Sequence, residues 1–288
     1  MDRSGYVLSV AGYPSGGFGG HRMAAEELSG DQRLLDLRKN GVYSSYTLSN
    51  VGYRWGECAQ LSERTMNAAA VPAMVPGHLT EGGGRMLTST AWKNLPLLRE
   101  EIDRNGFAGL TGGIPAARLR AMKAESLQAC FQPAESVGGR RQIAFSSSTA
   151  ELGASARAFL VSPEVTRFIG RLFGGEYRMT EDRSCITVYG AGDHLALHQD
   201  DPPEGCRATA IVYLRVIERA DSQPSAGLHL HVWGSAEPLA GEVAHTKILA
   251  REGLVALGRG SEFWHERPPL AVGEEIVALT TCFHIVDG

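Results

Sequence analysis

Hydrophobic residues recur with two different periods along the chain, and the change falls near its middle. Before residue 131 the spacing is mostly helical: "LPLLREEIDRNG" ends at Gly106, and Pro115 opens "AARLRAMKAESLQACF". A later segment, "PEVTRFIGRLF", follows a capping residue at Ser162 and stops at Gly174. These segments are predicted to be helices that each bury one face.

Beyond that helix, the apolar residues alternate with polar ones or form short β-branched runs. The runs are "SCITVYG", "HLALHQD", "ATAIVYLRVI", "GLHLHVW", "TKILA", "GLVALG" and "EEIVALTTCFHI", separated by Gly, Pro, Asp and Ser. Several short strands with no helix between them are typical of an antiparallel sandwich or barrel. The predicted class is therefore α+β or mainly β, with a flexible tail (1–20), a mainly helical supporting region (21–131) and a strand-rich core (132–288).

Composition narrows the classes of ligand and compartment. The net charge of -4 and 21% charged residues give no electrostatic reason to expect nucleic acid or membrane partners, so a small molecule is the expected ligand. The N-terminal sequence lacks a signal-peptide pattern, and no run of about 18 apolar residues occurs. Five scattered cysteines without a CxxC pair argue against a disulfide scaffold and predict small core residues in a cytoplasmic protein.

Histidines concentrate in the strand-rich part: seven of the nine lie within the last 95 residues. In "YGAGDHLALHQDDPPEG", alternation along a strand puts His194, His198 and Asp200 on one face. An imidazole and a carboxylate two residues apart provide two thirds of a 2-His-1-carboxylate iron site. An isolated HxD is a weak signal, so the order of the following segments matters.

From about residue 160 to 288 the chain resembles the Fe(II)/2-oxoglutarate-dependent dioxygenase superfamily, most closely its prolyl-4-hydroxylase-like branch. The resemblance rests on the helix from Ser162 followed by "VYGAGDHLALHQD", "ATAIVYLRV", "SAGLHLHVW", "REGLVALGRGSEFWHERPPL" and "GEEIVALTTCFHI". It implies a double-stranded β-helix, a jelly-roll barrel, with iron held by His198, Asp200 and His265. It also implies that Fe(II), 2-oxoglutarate and O2 are used to hydroxylate, desaturate or cyclise a small molecule.

The sequence departs from this branch where 2-oxoglutarate should be anchored. The branch has Arg or Lys ten residues after the distal histidine and Ser or Thr two residues later, whereas this chain has Glu275 and Val277. Three explanations remain open. In the first, another cation anchors the cosubstrate, with Arg267 the first choice and Arg215 or Arg207 the next. In the second, the enzyme works without 2-oxoglutarate and Glu275 holds a substrate amine. In the third, the barrel is not catalytic.

Strand alternation also gives expectations for the residues around this anchor. Glu275 is expected on the inner face of the last strand, with Ile276 and Ala278 on its outer face. Tyr189 and Tyr213 are candidates for hydrogen bonds to a bound keto acid, and they are also ordinary core residues.

His229 and His231 form a rival metal pair. With Glu237 they resemble the cupin motif, although the glycine-rich lead-in and the shorter gap to the glutamate are missing. The alternative is that they line the pocket or are hydrogen-bonded barrel residues, and His194 is likewise either a pocket residue or a structural histidine.

Two further expectations concern reactivity. Halogenases of the superfamily replace the metal-binding carboxylate with a small residue, so Asp200 predicts that halogenation is not the native reaction. Residues 40–90, rich in Gly and aromatic side chains, are expected to form a lid over the barrel mouth that orders when substrate binds.

Overall fold

The four helices lie before residue 174 and eight of the eleven strands lie after it in the computed structural model, which describes residues 84–135, 144–200, 205–220 and 223–286. The expected tail at 1–20 and residues 40–83 of the expected lid lie outside the described residues. The helices are α1 (Ser89–Asn105), α2 (Ala116–Ser126), α3 (Ala154–Leu160) and α4 (Pro163–Phe173). No helix in the described part is both long and apolar enough to cross a membrane.

Local signals explain where these helices begin and end. α1 stops at Gly106, which takes a positive φ of 79°. The Ser162 hydroxyl accepts a hydrogen bond from the Val165 N–H at 3.2 Å, which caps α4 as expected. α2 ends at Ser126, earlier than the apolar pattern through Phe131 suggested.

The strands form one sheet that folds into a barrel. They are β1 (Phe107–Leu110), β2 (Gln132–Glu135), β3 (Phe145–Ala150), β4 (Tyr177–Tyr189), β5 (His194–His198), β6 (Ala208–Ile217), β7 (His229–Val232), β8 (Thr246–Leu249), β9 (Val255–Gly258), β10 (His265–Arg267) and β11 (Glu275–Ile285). The order β1-β9-β6-β11-β4-β3-β5-β10-β7-β8 gives two antiparallel walls, β9-β6-β11-β4 and β5-β10-β7-β8, joined by β3. This interleaved order is that of a double-stranded β-helix, which confirms the predicted fold.

Two hydrophobic clusters show which face of each strand points inward. One cluster fills the barrel interior and includes Tyr213, Leu230 and Ile276. The other lies between the barrel and the helices and includes Phe168 of α4 and Val277 of β11. Because β6 and β11 are buried on both faces, their sequences form nearly continuous apolar runs and not a clean alternation.

The helical half also contributes to the sheet. β1 follows α1 directly and pairs with β9, with Phe107 opposite Gly258 and Leu110 opposite Val255. A segment predicted only to support the barrel therefore supplies an edge strand as well.

The cysteines depart from expectation. Cys206 and Cys282, 76 residues apart, form a disulfide between the entry to β6 and the end of β11. Cys130 is also disulfide-bonded, and Cys185 is free. The expectation failed because pairing depends on which strands become neighbours, which cysteine spacing does not reveal. Since structural disulfides are rare in a reducing cytoplasm, the cysteines no longer support the cytoplasmic location, which stays a prediction.

Candidate metal and cosubstrate site

The HxD motif and the distal histidine meet at one end of the barrel interior. β5 and β10 pair so that His198 lies directly opposite His265. Asp200 follows β5, and its backbone N–H donates to the carbonyl of Gly260 at 2.9 Å, which fixes the turn after the motif. Residues far apart in sequence are thus held together by strand pairing and one loop hydrogen bond.

The three side chains present their ligand atoms to a common point. The Nε2 atoms of His198 and His265 lie 3.5 and 3.6 Å from Oδ1 of Asp200, and the ligand atoms of the group all lie within 4.8 Å of one another. The Nδ1 atoms donate to the carbonyls of Ala196 at 2.9 Å and Phe263 at 3.0 Å. Because a carbonyl only accepts, Nδ1 carries a proton in both rings, and in the neutral form of each ring the Nε2 lone pair is available to a metal.

Burial and mutual charge define the protonation of this group. Burial opposes ionisation of Asp200, but the positive charge on the imidazoles of His265 and then His198, when they are protonated, holds its pKa well below the usual range. Burial, followed by the charge of His265, lowers the pKa of His198. Burial acts against protonation of His265 as well, yet the Asp200 carboxylate raises its pKa. The carboxylate is therefore an anion that attracts positive charge to this point.

Thr209 on β6 holds the second oxygen of the carboxylate, a role that was not predicted. Its hydroxyl donates a hydrogen bond to Oδ2 of Asp200, which leaves Oδ1 directed at the two histidines. Gly260 makes this possible, because a Cβ at that position would overlap both the Asp200 carboxylate and the Thr209 hydroxyl. Both residues lie within segments that carry the resemblance, but the segments alone do not reveal this contact.

A second support comes from the helical half. The ring of Phe107 on β1 packs against the His265 imidazole, with centroids 5.0 Å apart and planes at 50°. Gly258, opposite Phe107 in the sheet, leaves the space for that ring, since a Cβ there would overlap it. Phe107 is almost fully buried and therefore limits the orientations open to His265.

Removal of the Thr209 hydroxyl should weaken metal binding. In Thr209→Val the shape is nearly kept, but Oδ2 of Asp200 loses its donor and the carboxylate can rotate. Partners of metal ligands typically contribute 10- to 100-fold to affinity, so we expect Co(II) to bind about tenfold more weakly in an isothermal titration. Thr281→Val, which removes a buried hydroxyl elsewhere in the barrel wall, is the matched control. Equal affinities in the two variants would contradict this role.

A buried guanidinium lies two residues beyond the distal histidine. Arg267 is 3% exposed, donates to the hydroxyl of Tyr213 at 2.6 Å and to the carbonyl of Gly227 at 3.0 Å, and lies 5.6 Å from the ring centre of Tyr189. Burial raises the pKa of the Tyr189 hydroxyl, more than the charge of Arg267 lowers it, so this hydroxyl stays a neutral donor. Arg267 therefore lies between the phenol rings of Tyr189 and Tyr213, two residues beyond His265.

Glu275 does not face this interior, contrary to expectation. Ile276 and Ala278 belong to the interior cluster, whereas Val277 packs toward the helices, so Glu275 shares the outward side with Val277. There it forms an ion pair with Arg215, which lies opposite Val277 on β6. The prediction was wrong because it assigned the apolar residues to the outside of a strand that is apolar on both faces.

The remaining candidate cation, Arg207, lies outside the interior group. Its side chain is 44% exposed and pairs with Glu262 at 3.6 Å. Of the three arginines proposed from the sequence, only Arg267 is brought into the interior cluster of phenols.

The rival histidine pair does not line the pocket. Leu230 and Val232 point into the interior cluster, so His229 and His231, which alternate with them on β7, face the other side. His229 contacts the carbonyl of Ser225 at 3.0 Å, and His231 lies 3.7 Å from Glu266. Neither belongs to a candidate metal group among the described residues, and Glu237 of the predicted motif is exposed.

His194 stays close to the site in sequence but does not join the group of His198, Asp200 and His265. Its Nδ1 lies 3.2 Å from the carbonyl of Gly192, and its Nε2 is buried without a hydrogen-bond partner. The register between β5 and β10 shifts between His265 and Arg267, which interrupts the alternation used to place His194 beside His198.

The donor set fits a divalent transition metal. Two neutral imidazoles and one carboxylate on one side of a point leave further coordination positions for exchangeable ligands, as in non-haem Fe(II) sites. A purely structural zinc site would instead be closed by four protein ligands.

No protein-family model and no curated protein matches the sequence. Solved structures do match in fold. A carbocyclase described as non-haem and α-ketoglutarate-dependent, SnoK from nogalamycin biosynthesis, aligns with a TM-score of 0.52 at 13% identity over 69% of this chain and 87% of its own. An oxidoreductase of the 2OG-Fe(II) oxygenase family from Burkholderia pseudomallei gives 0.51 at 15% identity over 67% and 92%.

A third match is a prolyl hydroxylase from Trichoplax adhaerens, bound to a peptide of a hypoxia-inducible factor. It gives a TM-score of 0.50 at 19% identity and covers 68% of this chain and 93% of its own. Identities this low establish architecture and not activity. The barrel described here has the fold of the 2-oxoglutarate- and iron(II)-dependent oxygenases.

Proposed function

We propose that the chain is a non-haem Fe(II) oxygenase that uses 2-oxoglutarate and O2 to oxidise a small-molecule substrate. One observation carries the proposal: His198, Asp200 and His265 direct three metal-ligand atoms to one point inside a barrel of this fold. The buried Arg267 supports the choice of cosubstrate, because it places a positive charge among two phenols in the same interior.

The protein's residues have separable tasks in this proposal. His198, Asp200 and His265 hold the metal, and Thr209 and Phe107 keep two of those ligands in place. When bound, Fe(II) would supply O2 activation, driven by oxidative decarboxylation of 2-oxoglutarate to succinate and CO2. The apolar interior wall excludes water from the reacting atoms.

Arg267 and Tyr213 are proposed to bind the distal carboxylate of 2-oxoglutarate. The guanidinium already donates to the tyrosine hydroxyl, so a carboxylate arriving there meets two oriented donors. The Tyr189 ring lies beside the same guanidinium, and its neutral hydroxyl is a candidate donor to the keto-acid chain. In this arrangement β10 supplies the charge that the branch normally provides from the last strand.

The alternatives from the sequence have less support. A substrate amine held by Glu275 would require that carboxylate to face the interior, and it is already neutralised by Arg215 on the opposite side. A cupin-like site at His229 and His231 would require the pair to face a common metal inside the barrel, and they face away from the interior cluster.

An anaerobic titration tests the proposal directly. Fe(II) added to the apoprotein, followed by 2-oxoglutarate, should produce the visible metal-to-ligand charge-transfer band of a chelated keto acid. Exposure to O2 should then yield succinate. Absence of the band with iron bound would reject 2-oxoglutarate as the cosubstrate while leaving the metal site intact.

Halogenation should not be a native reaction. Asp200 occupies the metal position that a halogenase leaves open for chloride, so turnover in chloride-containing buffer is expected to give no chlorinated product. Mass spectrometry of the products checks this once a substrate is identified, with Asp200→Gly as the comparison variant that opens the position. A chlorinated product from the unmodified enzyme would show that Asp200 does not ligate the iron.

A further inference from the structure

The disulfide lies directly beside the metal-binding carboxylate. Cys206 is fully buried and Cys282 is 6% exposed, and Cys282 lies opposite Thr209 in the sheet. The Cys206 sulfur is 3.7 Å from Oδ2 of Asp200, and the ligand atoms of these three residues all lie within 4.8 Å of one another. Two sulfurs and one carboxylate oxygen therefore form a second compact donor group.

The two oxygens of Asp200 point to different groups. Oδ1 is turned to the two histidines, and Oδ2 is turned to the Thr209 hydroxyl and the Cys206 sulfur. A carboxylate in this orientation can bind one ion through each oxygen. The Thr209 hydroxyl, 3.5 Å from the Cys206 sulfur, can turn to that sulfur when Oδ2 is taken by an ion.

We propose that reduction of the Cys206–Cys282 disulfide creates a second metal site, formed by the two sulfurs and Oδ2 of Asp200, for a soft divalent ion such as Zn(II). The S–S bond breaks and takes up two electrons and two protons from a small dithiol, which is oxidised to its own disulfide. Both sulfurs then bind the ion as thiolates, and their protons pass to solvent.

The spacing of the donors suits such an ion. With Zn–S near 2.3 Å and Zn–O near 2.0 Å, tetrahedral geometry separates a sulfur and an oxygen ligand by about 3.5 Å, close to the observed 3.7 Å. The two sulfur atoms have to move apart from bonding distance, while Cys206 stays at the entry to β6 and Cys282 stays on β11. Thiolates favour Zn(II) and similar ions over Fe(II), so this site differs in metal preference from the histidine site that shares Asp200.

Co(II) is a suitable probe, because thiolate coordination gives it an intense sulfur-to-metal charge-transfer absorption that imidazole and carboxylate ligands do not. The protein is reduced with dithiothreitol, freed from it anaerobically and titrated with Co(II) beside the oxidised protein. The absorption should appear only in the reduced protein, disappear in Cys206→Ser and Cys282→Ser, and disappear from the unmodified protein on reoxidation. Excess Zn(II) should displace it.

Matched variants assign the signal. Cys185→Ser and Cys130→Ser should retain the absorption, because neither residue belongs to the group. The double variant His198→Ala/His265→Ala should also retain it in the reduced form, which separates this site from the proposed iron site. Circular dichroism verifies that each variant folds.

Three results would overturn the proposal. They are the absence of the absorption in the reduced unmodified protein, its survival in both Cys206→Ser and Cys282→Ser, and its loss when the two histidines are replaced. None of these outcomes depends on whether the protein oxidises a substrate with 2-oxoglutarate.

Discussion

Replacement of either histidine of the proposed iron site should abolish iron binding and turnover together. His198→Ala or His265→Ala removes one of three ligands from a buried site whose carboxylate is then left with less neutralising charge. Even partners that only contact metal ligands contribute 10- to 100-fold, so loss of a ligand is expected to lower Fe(II) affinity by at least about 100-fold. Anaerobic equilibrium dialysis measures the affinity, and succinate formation measures turnover.

His229→Ala provides the control for this prediction. It removes an imidazole from the opposite side of a neighbouring strand and should leave iron binding unchanged. The reverse pattern, in which His229→Ala loses iron and His198→Ala keeps it, would move the metal site to the rival histidine pair.

Replacement of Arg267 by glutamine should raise the 2-oxoglutarate requirement without removing the metal. The substitution deletes the buried positive charge but keeps an amide that can still donate a hydrogen bond. We expect the apparent dissociation constant of 2-oxoglutarate to rise roughly 10- to 100-fold, about 1.4 to 2.8 kcal/mol. Titration of the charge-transfer band with 2-oxoglutarate at saturating Fe(II) measures the change.

Arg215→Gln is the matched control for the same measurement. Arg215 pairs with Glu275 on the side away from the interior, so its loss should leave 2-oxoglutarate binding within about twofold of the unmodified protein. A large loss in Arg215→Gln together with normal binding in Arg267→Gln would assign the anchor to β6. Iron affinity, measured in parallel, shows whether either variant has disturbed the metal group.

The metal ligands could be proposed from the sequence because their signals are local. His198 and Asp200 lie two residues apart at the end of a strand, and the resemblance of the following segments to the oxygenase branch implies His265 among the later histidines. The fold could be predicted for a related reason, since short apolar runs broken by turn residues continue to the end of the chain. Neither inference required knowledge of which strands become neighbours.

The orientation of Glu275 could not be obtained in the same way. Period-two alternation identifies the inner face only when one face is polar, and β11 is apolar on both sides because helices cover its outer face. The irregular register between β11 and β6 near Val277 and Ala278 adds a further departure from strict alternation.

Contacts between distant segments could likewise not be predicted from the sequence. The disulfide, the hydrogen bond from Thr209 to Asp200 and the packing of Phe107 on His265 all join segments that are separate in sequence. Glycine at 258 and 260 was visible in the sequence, but the need for small residues there follows only from the side chains that fill the space.

The position of β1 bears on how this barrel can be excised or recombined. A fragment that begins at residue 132 would include all three proposed metal ligands, yet it would lack Phe107 and expose the edge of β9. An unpaired edge strand favours self-association, and the His265 ring would lose its packing partner. A chimaera that combines this barrel with another protein of the same fold should therefore keep residues 84–131 joined to the barrel.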